Sequence, residues 1–254
     1  MHYILAVAGN TFRETLRDKI LYNLVLFALL LIGASVLLAT LTIGEQARIV
    51  KDIGLASINI VGVIIAIFVG IGLVAKEIER RTIYTILARP ITRSQFLIGK
   101  YLGLAVVIAM NMGLMFGMFL ITVWVSNAPI SESLFQSVQL MVVESLLIVA
   151  VAIFFSTFTS SILSATMTLG VYVIGHLTND MKAIAAKSQN PITEGIMTAI
   201  YYVCPNLEWL NIKGQASSGV AVSMTYQALA TSYGLLYSGL LLAAACLFFR
   251  RRDF

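Results

Sequence analysis

What this chain lacks most is charge. Only 11% of its 254 residues are Asp, Glu, Lys or Arg while 59% are hydrophobic, and its mean hydropathy is +0.92. That balance excludes a soluble globular domain and makes the chain an integral membrane protein. Cysteine is nearly absent too. Cys204 and Cys246 have no second Cys or His at ligand spacing and fall, by the topology derived below, on opposite sides of the membrane, which argues against a disulfide within one chain and against a metal site. The first twenty residues are charged and lack an apolar run with a small-residue cleavage site, so no cleavable signal peptide is expected and the first span serves as the insertion signal. Also missing are GxxxxGK[ST], HExxH, GxSxG and any His/Cys cluster. Gly99-Lys100 lacks the upstream glycine and the Ser or Thr that a phosphate loop needs. The chain is therefore not expected to be an enzyme or to hold a cofactor, and energy for any driven work comes from a partner. No internal repeat or matched pair of broken spans is present.

The charge that is present is placed with a purpose. A net charge of +5 and a pI near 9.3 would suggest nucleic acid in a soluble protein. Here the basic residues sit at segment ends, where orientation and contact with lipid headgroups explain them, and no nucleic-acid partner is expected. The densest group is Lys76 to Lys100, KEIERRTIYTILARPITRSQFLIGK, which carries Lys76, Arg80, Arg81, Arg89, Arg93 and Lys100 against Glu77 and Glu79. The positive-inside rule puts this island in the cytoplasm. Ile83, Ile86 and Leu87 recur at i, i+3, i+4 with Thr82, Thr85 and Arg89 opposite, which predicts a short amphipathic helix ended by Pro90 and presented to the cytosol. Thr92 and Ser94 are candidate N-caps for the helix that follows.

In chain order, residues 2–19 predict an interfacial helix with Ile4, Leu5, Ala8, Phe12 and Leu16 on its apolar face. Uncharged runs long enough to cross the bilayer follow at Ile20–Ile43, Ile53–Ala75, about Phe96–Val125, Leu134–Phe155, Ile162 to about Leu177, and about Ala228–Phe249. Between the last two, Ile192–Val203 is apolar but too short to span, so it reads as an interfacial or re-entrant helix with Tyr201, Tyr202 and Trp209 at headgroup level. With both termini inside, twelve of the 17 basic residues are cytoplasmic and five (Arg48, Lys51, Lys182, Lys187, Lys213) are outside.

Few residues inside the spans could carry chemistry. Glu144 is the sole acidic residue well inside one. At a cost of about 2.5–3.5 kcal/mol on insertion scales it must face the bundle interior, a partner or a water-filled cavity. It reads either as a group lining a substrate route or as an interhelical hydrogen-bonding strut. His176, near Asn179 and Asp180, could form a polar mouth or be a simple end residue. Asn59 and Asn111 read as interhelical hydrogen-bonding groups, with Asn111 a further candidate for the route. Met112 and Met115 fall near one another on their helix while Met110 and Met118 diverge, and with no Cys or His nearby in sequence the four read as packing groups in preference to a Cu(I) path.

The stretch KEIERRTIYTILARPITRSQFLIGKYLG resembles the ABC-2-type transporter permeases at Glu77, Glu79, Arg80, Thr82, Leu87, Ala88, Arg89, Pro90, Arg93, Gly99 and Lys100, and the terminal FFRRRDF and overall architecture extend the likeness. The resemblance implies an all-α integral membrane protein with six transmembrane helices in a single domain over 1–254: an interfacial helix over 1–19, a cytosolic coupling helix in 76–95, and an extracytoplasmic segment over 178–227. It implies that Glu77, Glu79, Arg80, Thr82, Ile83, Ile86, Leu87, Arg89 and Arg93 dock on a separate ATPase subunit, present in two copies and holding ATP and Mg. It further implies a second permease copy, as a homodimer, in the inner (cytoplasmic) membrane. The family includes polysaccharide, drug and sodium exporters and a copper-site maturation branch. The small outer segment and uncharged spans favour a lipid-like or amphipathic substrate passing along Glu144, His176 and Asn111. The other reading is a non-transporting subunit that passes ATPase-driven motion to a periplasmic or membrane accessory protein, and a third is a channel or proton-coupled carrier using Glu144 alone.

Overall fold

The computed structural model describes residues 2–40, 44–79, 92–187 and 191–251. Among these residues every regular element is helical, and six helices are long and apolar enough to cross a membrane. They are α2 (Lys19–Ala39), α3 (Gln46–Glu79), α4 (Arg93–Val125), α5 (Glu132–Ser156), α6 (Ser161–Lys187) and α9 (Met224–Arg251). Helix α1 (His2–Leu16) precedes them. A cap made of α7 (Pro191–Val203), a 3-10 turn (Leu207–Leu210) and the short α8 (Lys213–Ser217) lies between α6 and α9.

Helices α3 and α5 form the centre. Helix α5 touches α3, α4, α6, α9 and the cap, and α3 touches α2, α4, α5, α6 and α8. Both are mostly covered, whereas α2, α6 and α9 leave most of their surface open. In lipid there is little hydrophobic drive between apolar helices, so close approach depends on small residues. The chain supplies them: Gly62 of α3 faces Met112, and Gly70 faces Ala152.

A close approach to backbone is made at α1. A Cβ added at Gly103 of α4 would lie 2.6 Å from the Ala8 carbonyl oxygen, and one at Gly99 would lie 2.7 Å from Val7 Cβ. The inward face of α1 is therefore Val7, Ala8, Thr11 and Thr15, with Thr11 and Thr15 buried. Ala8 of the expected apolar face lies on it and Phe12 packs against the core, whereas Leu5 is 67% exposed. Near the end of α1, Glu14 Oε2 lies 3.4 Å from the Nζ of Lys100, which is only 2% exposed.

Helix α4 opens with a capping box: the Thr92 side chain accepts from the Gln95 N–H, and the Gln95 side chain accepts from the Thr92 N–H. Two helices are longer than the apolar runs suggested. Helix α3 begins at Gln46, so the polar residues Arg48 and Asp52 form its first turns and pair at i, i+4. Helix α6 continues past Leu177 to Lys187 and packs against α7. The short helix expected over 192–203 is present as α7.

Candidate functional site

The site is built around the carboxylate of α5. Glu144 has no exposed surface. Its Oε2 accepts from Asn59 Nδ2 of α3 at 2.9 Å. Its Oε1 stands 3.3 Å from His176 Nε2 of α6, within ion-pair distance though not aligned as a hydrogen bond. The Asn59 oxygen in turn accepts from Lys213 Nζ at 2.9 Å and from the Tyr172 hydroxyl at 3.3 Å. The imidazole is held from its other side, with Nδ1 3.1 Å from the Tyr172 carbonyl oxygen and the two rings 4.7 Å apart. Three spans and the cap thus meet at one carboxylate, which faces an imidazole directly and an ammonium across a carboxamide.

Local structure places each group. Asn59 and Glu144 lie on the two central helices, whose buried residues are mostly apolar or small. Tyr172 and His176 are i, i+4 neighbours on one face of α6. Lys213 is delivered by the cap, which is itself firmly seated: Leu207, Leu210, Ile212 and Ala216 are buried. Gly175 of α6 makes room for that seat, since a Cβ there would lie 2.7 Å from Leu207 Cγ. Further bonds pin the cap to α5 and α9. Ser133 donates to Ala216 O, the Tyr226 hydroxyl donates to Trp209 O, and Gln136 exchanges two bonds with the Val222 backbone.

Of the three residues expected along a route, the fold brings Glu144 and His176 together and leaves Asn111 apart. The Asn111 amide donates to Val107 O of its own helix at 2.8 Å, so it differs from the interhelical bond expected of it. Sequence reasoning missed Tyr172 and Lys213. Tyr172, four residues before His176, was within reach of a helical-spacing argument; Lys213, at the start of the short helix α8 in the cap, was not. Met112 and Met115 are buried while Met110 and Met118 face outward, a packing arrangement.

Of the expected docking residues, Glu77 and Glu79 belong to the last turn of α3 and Arg93 opens α4. Arg93 Nη1 donates to Phe249 O at 2.9 Å, linking the start of α4 to the end of α9. Arg80, Thr82, Ile83, Ile86, Leu87 and Arg89, and with them the expected coupling helix, lie outside the described residues.

Residues 5–254 match the ABC-2 family transporter protein family. The chain belongs to that family: it is a multi-pass membrane protein and the permease component of an ABC transporter. No curated protein matches it.

Proposed function

We propose that the chain is the permease of an exporter for lipid-like or amphipathic molecules, working with two copies of a separate ATPase subunit that binds ATP and Mg. The reading places it in the inner membrane with both termini and residues 76–95 in the cytoplasm. There Glu77, Glu79, Arg80, Thr82, Ile83, Ile86, Leu87, Arg89 and Arg93 contact the ATPase. A second copy completes the transport path. The observation that supports the substrate class is the character of the uncovered faces. Helices α2, α6 and α9 turn outward Leu26, Leu30, Leu37, Leu169, Leu236 and Leu240. A route formed where two copies bring such faces together is apolar, and suits a molecule that enters from the bilayer.

Within this reading Glu144, His176, Asn59 and Lys213 act as a latch that holds the cap closed over the bundle. Motion of the ATPase, carried through α3 and α4, separates Asn59 from Glu144 and frees Lys213. The test is ATP hydrolysis by the reconstituted complex in nanodiscs. Amphiphilic candidates are expected to stimulate turnover and small hydrophilic ions to leave it unchanged. Hydrolysis that ignores every solute but responds to a bound protein would replace export with transmission of motion to an accessory subunit.

A further inference from the structure

A second polar feature lies away from the Glu144 latch, in a cleft of about 620 Å³ between α5 and α9 at the end where both helices meet the cap. Gln227, only 8% exposed, lines it. Its amide nitrogen donates to Gln139 Oε1, yet its own Oε1 accepts no hydrogen bond among the described residues. The Thr231 hydroxyl, one helical turn further along α9, is likewise buried and unpartnered among the described residues. A buried acceptor left unpaired is costly, so such a group marks a place where a donor is missing. Gln136, Gln139, Ser232 and the exposed carboxylate of Glu132 are the other polar groups at the cleft, and among the described residues no Lys, Arg or His lines it. Apolar side chains complete the wall: Phe135 of α5 and Met224 and Leu235 of α9 are about half exposed or more.

These features select a ligand by chemistry. One buried acceptor without a donor, beside one carboxylate and no cation among the described lining residues, favours a positively charged donor group over phosphate. The apolar wall calls for a hydrophobic body attached to it. We propose that this cleft binds an amphipathic cation, an ammonium group carried on an apolar body. The ammonium donates to Gln227 Oε1 and pairs with Glu132 while the body lies against Phe135 and Leu235. The site belongs to a single copy of the chain and stands whether or not the bound molecule is transported.

The test is binding to the purified full-length chain in non-ionic detergent, without nucleotide, read by native mass spectrometry. The probes are dodecylamine, dodecanol, dodecyl phosphate and free ethanolamine. Dodecylamine is expected to be retained at least tenfold better than the other three. Glu132→Gln and Gln227→Leu are each expected to weaken its binding about tenfold. Asp180→Asn, which removes an exposed carboxylate outside the cleft, is expected to change nothing. Glu132 is exposed at the first turn of α5, so its replacement leaves the fold intact even where Gln227→Leu disturbs packing. Equal retention of dodecanol, or dodecylamine binding that is indifferent to Glu132→Gln, overturns the proposal. Retention of free ethanolamine as tight as that of dodecylamine overturns the role of the apolar wall.

Discussion

The Asn59 carboxamide bridges two ionisable side chains: it donates to Glu144 Oε2 at 2.9 Å and accepts from Lys213 Nζ at 2.9 Å. Asn59 thereby links a central span to the cap through a residue with neither charge nor titration of its own. Removing the carboxylate is expected to leave Asn59 Nδ2 without its acceptor and to empty the space 3.3 Å from His176 Nε2. Glu144→Ala should therefore lower stability by about 1–3 kcal/mol. Glu144→Gln, which keeps an acceptor for Asn59, should cost less, nearer the ~0.6 kcal/mol of an average interhelical bond in a membrane protein. Thermal melting in detergent, followed by size-exclusion chromatography, checks the order; equal melting of the alanine and glutamine variants would contradict it.

Lys213→Met removes the cap's bond to Asn59 while keeping the length of the side chain. Amide hydrogen exchange over residues 207–217 is expected to speed up several-fold, with exchange in the middle of α5 unchanged. Unchanged exchange in the cap would show that Leu207 and Leu210 hold it without help from Lys213.

Gly103→Leu tests how α1 is held. The added side chain meets the Ala8 carbonyl and Thr11, so overpacking of about 1–3 kcal/mol should lift α1 from α4. In a background with Cys204 and Cys246 replaced by Ser, a thiol at Thr11→Cys should react slowly with maleimide when Gly103 is present and at least tenfold faster in Gly103→Leu. A slow reaction in both would place the seat of α1 elsewhere.

Cys204, in the turn after α7, has its thiol pushed up from the ordinary range by burial. At a given pH it holds less thiolate than an exposed thiol. Its alkylation near pH 8 should therefore be slower than that of Ser218→Cys on the exposed edge of the cap, and the gap should narrow as the pH is raised. A faster reaction at Cys204 would contradict the burial argument.

The six spans were legible because the bilayer sets a length that an apolar run must meet, and runs such as Ile20–Ile43 and Leu134–Phe155 meet it. Their ends were less legible. Thr178, Asn179 and Asp180 read as the end of a span, but a helix leaving the membrane needs no apolar residues to continue, and α6 runs on to Lys187. Leu5 departs from the expected face of α1 for a related reason. In water Leu5 would mark the buried side; against lipid Leu5 is content outside, and the small residues Ala8, Thr11 and Thr15 turn inward onto Gly99 and Gly103. Glu144 was legible as a buried ionisable group, but its partners were not, because Asn59 precedes it by 85 residues and Lys213 comes from the short helix of the cap. Nothing in residue spacing brings those groups together; the packing of α3 on α5 and the seating of the cap do.

The central claim is that this permease is driven by a separate ATPase docked on the island after span two. The direct measurement is purification of the chain from its native membrane in mild detergent, with and without Ile86→Glu and Leu87→Glu. An ATP-hydrolysing protein is expected to co-purify with the unaltered chain and to be lost from the double variant, while the permease itself stays folded and monodisperse. An ATPase that binds both forms equally, or none with either, would contradict the account.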